Sequence, residues 1–168
     1  MLLLQEILTN ALDSGHRILL FSQFTTMLDI IQNYLCAERI EHFYLSGSTK
    51  AMERLIMARS FNKGMGKVFL ISLKAGGTGL NLTGADMVIH YDPWWNPAVE
   101  DQATDRAHRI GQKNAVQVIK LIAQGTVEEK INALQAKKKS LIDSVIQSGE
   151  TLLSKLSEQE LRELFDLY

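Results

Sequence analysis

Five short apolar runs separated by amphipathic segments constrain the fold of this chain more than any other feature. The runs span residues 18–21, 43–45, 68–71, 88–91 and 116–122. Several are apolar at consecutive positions, as strands covered on both faces are. Helical periodicity fills the gaps at 2–12, 25–38, 49–62 and 97–108. Strands alternating with helices predict an α/β fold with a parallel sheet and right-handed crossovers. Such sheets place ligands at the carboxyl ends of their strands. Ser22-Gln23, Ser46 to Thr49, Ser72 onward and Asp92 onward each follow a run directly. A long helical pattern then runs from Thr126 to about Ser148 and carries Lys137-Lys138-Lys139, which reads first as a solvated face. A short closing helix starts at Ser157, with Glu160 in a capping-box spacing. The chain is therefore divided into residues 1–125 and a helical extension over 126–168.

The chemistry concentrates in four segments. In Glu100 to Gln112, Gln102, Arg106 and Arg109 recur at four and three residues. On one continuous helix they share a face. An amide beside two guanidinium forks suits a polyphosphate, because guanidinium binds phosphate oxygens bidentately and keeps its charge. An ordinary amphipathic surface helix has the same spacing. In Ser72 to Leu82, Gly76, Gly77 and Gly79 permit close backbone approach to a ligand. The Gly-x-Gly-x-x-Gly pattern fails there, since Leu82 stands in the third glycine's place. Ser48 or Thr49 is placed to cap the helix that follows, whose free amides also attract phosphate. Trp94 and Trp95 fall in a predicted loop, where an aromatic ring must stack or pack.

Four segments in register resemble the Swi/Snf-type ATPases, the DNA-translocating branch of helicase superfamily two. Arg17 to Asp29 is similar to that family's fourth motif, Ser72 to Leu82 to its fifth, and Asp101 to Gln112 to its last. Gly125 to Ile131 is similar to the start of the helix after the motor core. The likeness spans roughly residues 12–140. It implies a RecA-like parallel sheet sandwiched by helices, the second lobe of a two-lobed motor. Neither a Gly-x-x-x-x-Gly-Lys-Ser/Thr loop nor an Asp-Glu-x-His box is present. In the family those parts lie on a first lobe, so the expectation is a piece of a longer protein that does not hydrolyse ATP alone.

The resemblance also implies roles. Arg106 and Arg109 act as arginine fingers toward the γ-phosphate, with Gln102 beside the nucleotide. Gly77, Gly79 and Asn81 lie on the nucleotide side of the fifth-motif loop. Ser22, Gln23, Gly47, Ser48, Thr49, Ser72, Lys74, Ala75, Gly76, Thr78 and Trp95 contact DNA phosphate. Lys74 stands where relatives often have Arg, and Ser46 where many have an acid, which leaves the role of Ser46 open. Arg54 resembles an arginine that recurs after this loop; an ordinary surface ion pair is the other reading. The cofactor implied is ATP with Mg2+, held mainly by the first lobe. The partners implied are double-stranded DNA, that first lobe and a DNA-bound protein target.

Composition adds bounds. The chain has 168 residues, 46% hydrophobic and 22% charged, as one globular domain has. Its single cysteine, Cys36, excludes an internal disulfide and is expected to be a buried small apolar residue. No Cys/His spacing suggests a metal site, and no apolar run has the length of a membrane span. Net charge is −1, so any DNA affinity must come from local placement of amides and a few cations. His90 and His108 are expected to be structural. The compartment expected is the cytoplasm (nucleoid) in a prokaryote or the nucleus in a eukaryote. Three other readings remain: a strand-separating superfamily-two helicase, a non-catalytic scaffold lobe, and a doubly wound small-molecule enzyme.

Overall fold

The structure is a computed structural model that describes residues 1–76, 80–92, 97–107, 115–126, 129–130, 132–133 and 135–136. Its elements follow in the order α1 (Leu2–Asp13), β1 (Ile18–Ser22), α2 (Thr25–Ala37), β2 (His42–Leu45), α3 (Ala51–Asn62), β3 (Val68–Ser72), α4 (Leu73–Gly76), β4 (Met87–His90), α5 (Pro97–Thr104) and β5 (Gln117–Lys120). The five strands form one parallel sheet in the order β2-β3-β1-β4-β5. The chain starts in the middle, moves out to one edge and returns to the other side. A crevice outside the strand ends is expected where the order reverses.

Alternation along the strands divides the core into two layers, because successive side chains point to opposite faces. Ile18, Leu20, Val68, Leu70, Met87 and Ile89 face one way and meet Leu4 and Leu8 of α1 and Leu28, Ile31 and Leu35 of α2. Leu19, Phe21, Leu45, Phe69, Ile71 and Val88 face the other way and meet Ala58 and Phe61 of α3 and Ala103 of α5. The central strands β1, β3 and β4 are buried at every position. That is why they read as continuous apolar runs and not as alternating ones. β5 is an edge strand, shorter than its run of sequence and mostly exposed.

The amino ends of the strands are stapled by Arg17. Its guanidinium donates to the carbonyls of Phe61, Met65, Gly66 and Gly84 and lies 4.1 Å over the Phe61 ring. The end of α3 and the starts of β3 and β4 are thus gathered on one planar fork, a geometry lysine does not offer. Asp86 completes this end by accepting from the Arg17 amide and contacting His16.

Three local expectations change. Cys36 is exposed, because Leu28, Ile31 and Leu35 define the inward face of α2 and Cys36 lies one residue round from it. Neither Ser48 nor Thr49 caps α3; the N-cap is Lys50, without a side-chain cap bond. The first part of the fifth-motif loop is a helical turn, α4. The long helix over 126–148, with its three lysines, and the closing helix from Ser157 lie almost wholly outside the described residues.

Candidate nucleic-acid interface

The C-terminal ends of the strands bring the predicted segments together. Ser22 and Ser72 end neighbouring strands and are register partners across the β1–β3 pair. Both are buried, at 0% and 3% exposure. Ser22 departs from the expectation of a side chain open to DNA phosphate. Its hydroxyl donates to Asp92 Oδ2 and accepts from the Phe24 amide at 3.1 Å. The Gln23 amide donates to Asp92 Oδ1 at 2.8 Å. What the turn leaves toward solvent is the half-buried Gln23 side chain, the exposed Phe24 ring and the exposed start of α2, Thr25 and Thr26. Asp92 was not singled out as a site residue from sequence; the signal was an acid directly after a strand whose neighbour ends in serine.

The loop after β2 closes on itself. Ser46 N donates to Thr49 Oγ1 at 3.1 Å and Thr49 N to Ser46 O at 3.2 Å. The Ser46 and Ser48 hydroxyls pair at 2.8 Å. The Thr49 oxygen is thereby drawn back into the loop and away from the helix it was expected to cap. Among the described residues Arg54 makes no ion pair. It donates from Nε to Thr49 O at 2.7 Å and from Nη2 to Gly47 O at 3.0 Å. By holding two carbonyls inward, Arg54 keeps Gly47 and Ser48 exposed at the sheet edge. Lys50, exposed beside them, is a cation that no motif or spacing pointed to.

After β3, Lys74 is exposed on α4, whereas Ala75 is 2% exposed and belongs to the core with Leu73, Leu80 and Leu82. Any contact from Ala75 is therefore through its main chain. Asn81 is exposed, and its carbonyl accepts from Asn62 Nδ2 at 2.9 Å. Gly77, Thr78, Gly79, Trp94, Trp95, His108 and Arg109 lie outside the described residues.

α5 differs from the one-face expectation for Gln102 and Arg106. The helix stops at Thr104. Arg106 N and Ala107 N then bond three residues back, to Ala103 O and Thr104 O, which tightens the turn as helix ends do. Leu82 N donates to Arg106 O at 2.9 Å and ties this turn to the chain before β4. Gln102 stays exposed while Arg106 is 2% exposed, so the two do not share a solvent face.

Beneath α5, His90 ends β4 fully buried. It stacks on Phe21 with ring centroids 5.5 Å apart, and its Nε2 lies 3.1 Å from Thr104 Oγ1. Burial holds the His90 pKa down to about 4, helped by Lys120 and opposed by Asp101. This neutral ring supports α5 from below. Lys120 also pairs with the buried Glu100, which fastens α5 to the edge strand β5.

Residues 1–111 match the family described as the helicase conserved C-terminal domain. The chain belongs to that family. The helicase lobe is also 46% identical over 167 residues to the putative ATP-dependent helicase/translocase YwqA of Bacillus subtilis, covering 98% of this chain and 18% of that protein. It is 46% identical over 147 residues to the human chromatin-remodeling ATPase INO80, covering 87% of this chain and 9% of that protein. Helicase swr1 of Schizosaccharomyces pombe is 40% identical over 165 residues, 98% of this chain and 13% of that one. Among solved structures, the C-terminal part of the Fun30 ATPase domain superposes with a TM-score of 0.74 at 38% identity, over 78% of this chain and 43% of that one. The lobe is thus RecA-like and of the Swi/Snf type, and it spans less than a fifth of these curated relatives.

Proposed function

We propose that this chain is the second lobe of an ATP-dependent translocase on double-stranded DNA, which moves or strips bound proteins without separating the strands. The observation that carries the reading is the convergence of the segments after β1, β2 and β3, together with α5, on the carboxyl edge of one parallel sheet. Relatives named as ATP-dependent helicases and chromatin-remodeling ATPases support it.

ATP with Mg2+ supplies the phosphoanhydride whose cleavage drives the cycle. As in the family it resembles, the first lobe would hold most of the nucleotide and the metal. Gln102 and Asn81 are exposed and fit a nucleotide held across the cleft. Arg109 takes the leading finger role, since its guanidinium charge stabilises developing negative charge on the phosphate. Arg106, buried in the turn after α5, joins it only when lobe closure re-forms that turn. Gln23, Gly47, Ser48, Lys74 and Trp95 contact phosphate and sugar, which carries little sequence preference. Residues 126–168 pack on the lobe as its helical extension.

The test is steady-state ATP hydrolysis by the longer protein carrying both lobes, with and without duplex DNA, for wild type and Arg109→Ala. We expect DNA-stimulated turnover that falls about 10³-fold or more in the variant with ATP binding retained. Equal activity in the variant removes the finger role. A parent that hydrolyses nothing with any nucleic acid favours a scaffold lobe.

A further inference from the structure

Asp92 stands one residue beyond the last rungs of the β1–β4 pair. The two strands run in register to Phe21↔His90, and Tyr91 N still donates to Phe21 O at 2.9 Å. The next groups in line are the Ser22 hydroxyl and the Gln23 amide, and both donate to the Asp92 carboxylate. A side chain has here replaced the main-chain acceptor that a longer strand would supply.

Asp92 is 4% exposed. Burying a charge is costly unless hydrogen bonds compensate it, and bonds to an ionised acceptor are about twice as strong as neutral ones. The contact is therefore stiff. It turns the Gln23 amide inward and makes Ser22 Oγ a relay that accepts a hydrogen bond from the Phe24 amide and donates one to Asp92. Gln23 and the first residues of α2 are left on the outer side.

We propose that Asp92 is the positioning residue of the DNA-phosphate face. It fixes the Ser22-Gln23 turn, seventy residues earlier in the chain, in the orientation that presents Gln23 to the backbone of the duplex. This rests on the DNA reading above. It gives Ser22 a part in that face although its own oxygen faces inward.

The chain offers a reporter. Its two tryptophans, Trp94 and Trp95, follow Asp92 within three residues. We would record their emission, and duplex-DNA binding at low salt, for wild type, Ser22→Ala, Asp92→Ala and Asp92→Asn. Far-ultraviolet dichroism checks folding, and Arg17→Lys, at the opposite end of the sheet, controls for loss of stability.

Asp92→Ala should raise the half-saturating DNA concentration about tenfold, the effect of one strong contact. Asn keeps an acceptor for the Gln23 amide and a donor for the Ser22 oxygen, so it should recover most of that loss. Ser22→Ala should shift the tryptophan emission of the DNA-free protein. Arg17→Lys should lower the melting temperature without moving DNA binding. Asp92→Ala binding DNA as wild type does would overturn the proposal, as would Asn performing no better than Ala. Should Asp92→Ala fail to fold, the Asn and Ser22 variants decide. If wild type binds no duplex, the DNA reading fails by itself; the brace then stands if Ser22→Ala shifts the emission and falls if it does not.

Discussion

A histidine fully buried at the end of a central strand makes a stability statement. His90 has its pKa lowered to about 4 by burial, then by Lys120, against the pull of Asp101. In the unfolded chain the ordinary value is 6.5. Above pH 6.5 both states are neutral and His90 contributes no pH dependence. Between 6.5 and about 4 the unfolded state takes up a proton that the folded state refuses, so stability falls with pH by about 1.4 kcal/mol per unit. At pH 5 the loss from this one group is about 2 kcal/mol. Urea unfolding of wild type and His90→Gln at pH 7 and pH 5 measures it directly. The wild type should lose about 2 kcal/mol more than the variant over that interval, and parallel losses would assign the pH dependence to other groups. The expectation that His90 is structural came from the lack of a catalytic partner nearby in sequence. Its partners are Thr104 and Phe21, fourteen and sixty-nine residues away, and only folding reveals them.

At the scale of elements, the strands were readable because burial on both faces needs continuous apolar runs, and β1, β3 and β4 are of that kind. The helix ends were not. α3 starts at Ala51 because Thr49 turned back to Ser46, and α5 stops at Thr104 because its next turn is tied to Leu82. Periodicity cannot see a tertiary bond that competes with a cap. The joint between α3 and β4 shows how close such packing is. Asn62 Oδ1 accepts from Gly84 N and its Nδ2 donates to Asn81 O, while Gly84 O accepts from Arg17. A Cβ on Gly84 would come within 2.8 Å of Arg17 Nη1 and 2.9 Å of Asn62 Cα. Since Cα belongs to a packed helix end, the strain cannot be relieved by a rotamer change alone. Gly84→Ala should cost about 2 kcal/mol, as overpacking does, and lower the melting temperature by about 6 °C for a chain of this size. An unchanged melting curve would mean the joint yields.

For the whole molecule, the edge of the sheet that carries the candidate site was legible, because four segments of the right chemistry each follow a strand. Which atoms face outward was not: Ser22 and Ala75 turn in, while Lys50 and Gln23 remain out. That sorting bears on how the lobe meets a polyanion. Net charge is −1, and Arg54 and Arg106, two cations near the edge, are engaged with carbonyls or buried. Among the described residues, Lys50 and Lys74 are exposed there, and the remaining candidate contacts are neutral amides and hydroxyls. Counterion release counts phosphates neutralised by cations, with a slope of about −0.9 per phosphate in log affinity against log salt. Among the described residues these two lysines contribute a shallow slope of about −2 on duplex DNA. Lys50→Ala or Lys74→Ala should each reduce it by about one while leaving the melting temperature unchanged, as fluorescence titrations across a salt series would register. A slope several times steeper that survives both substitutions would place the duplex on another surface, and the carboxyl edge would then be a nucleotide face alone.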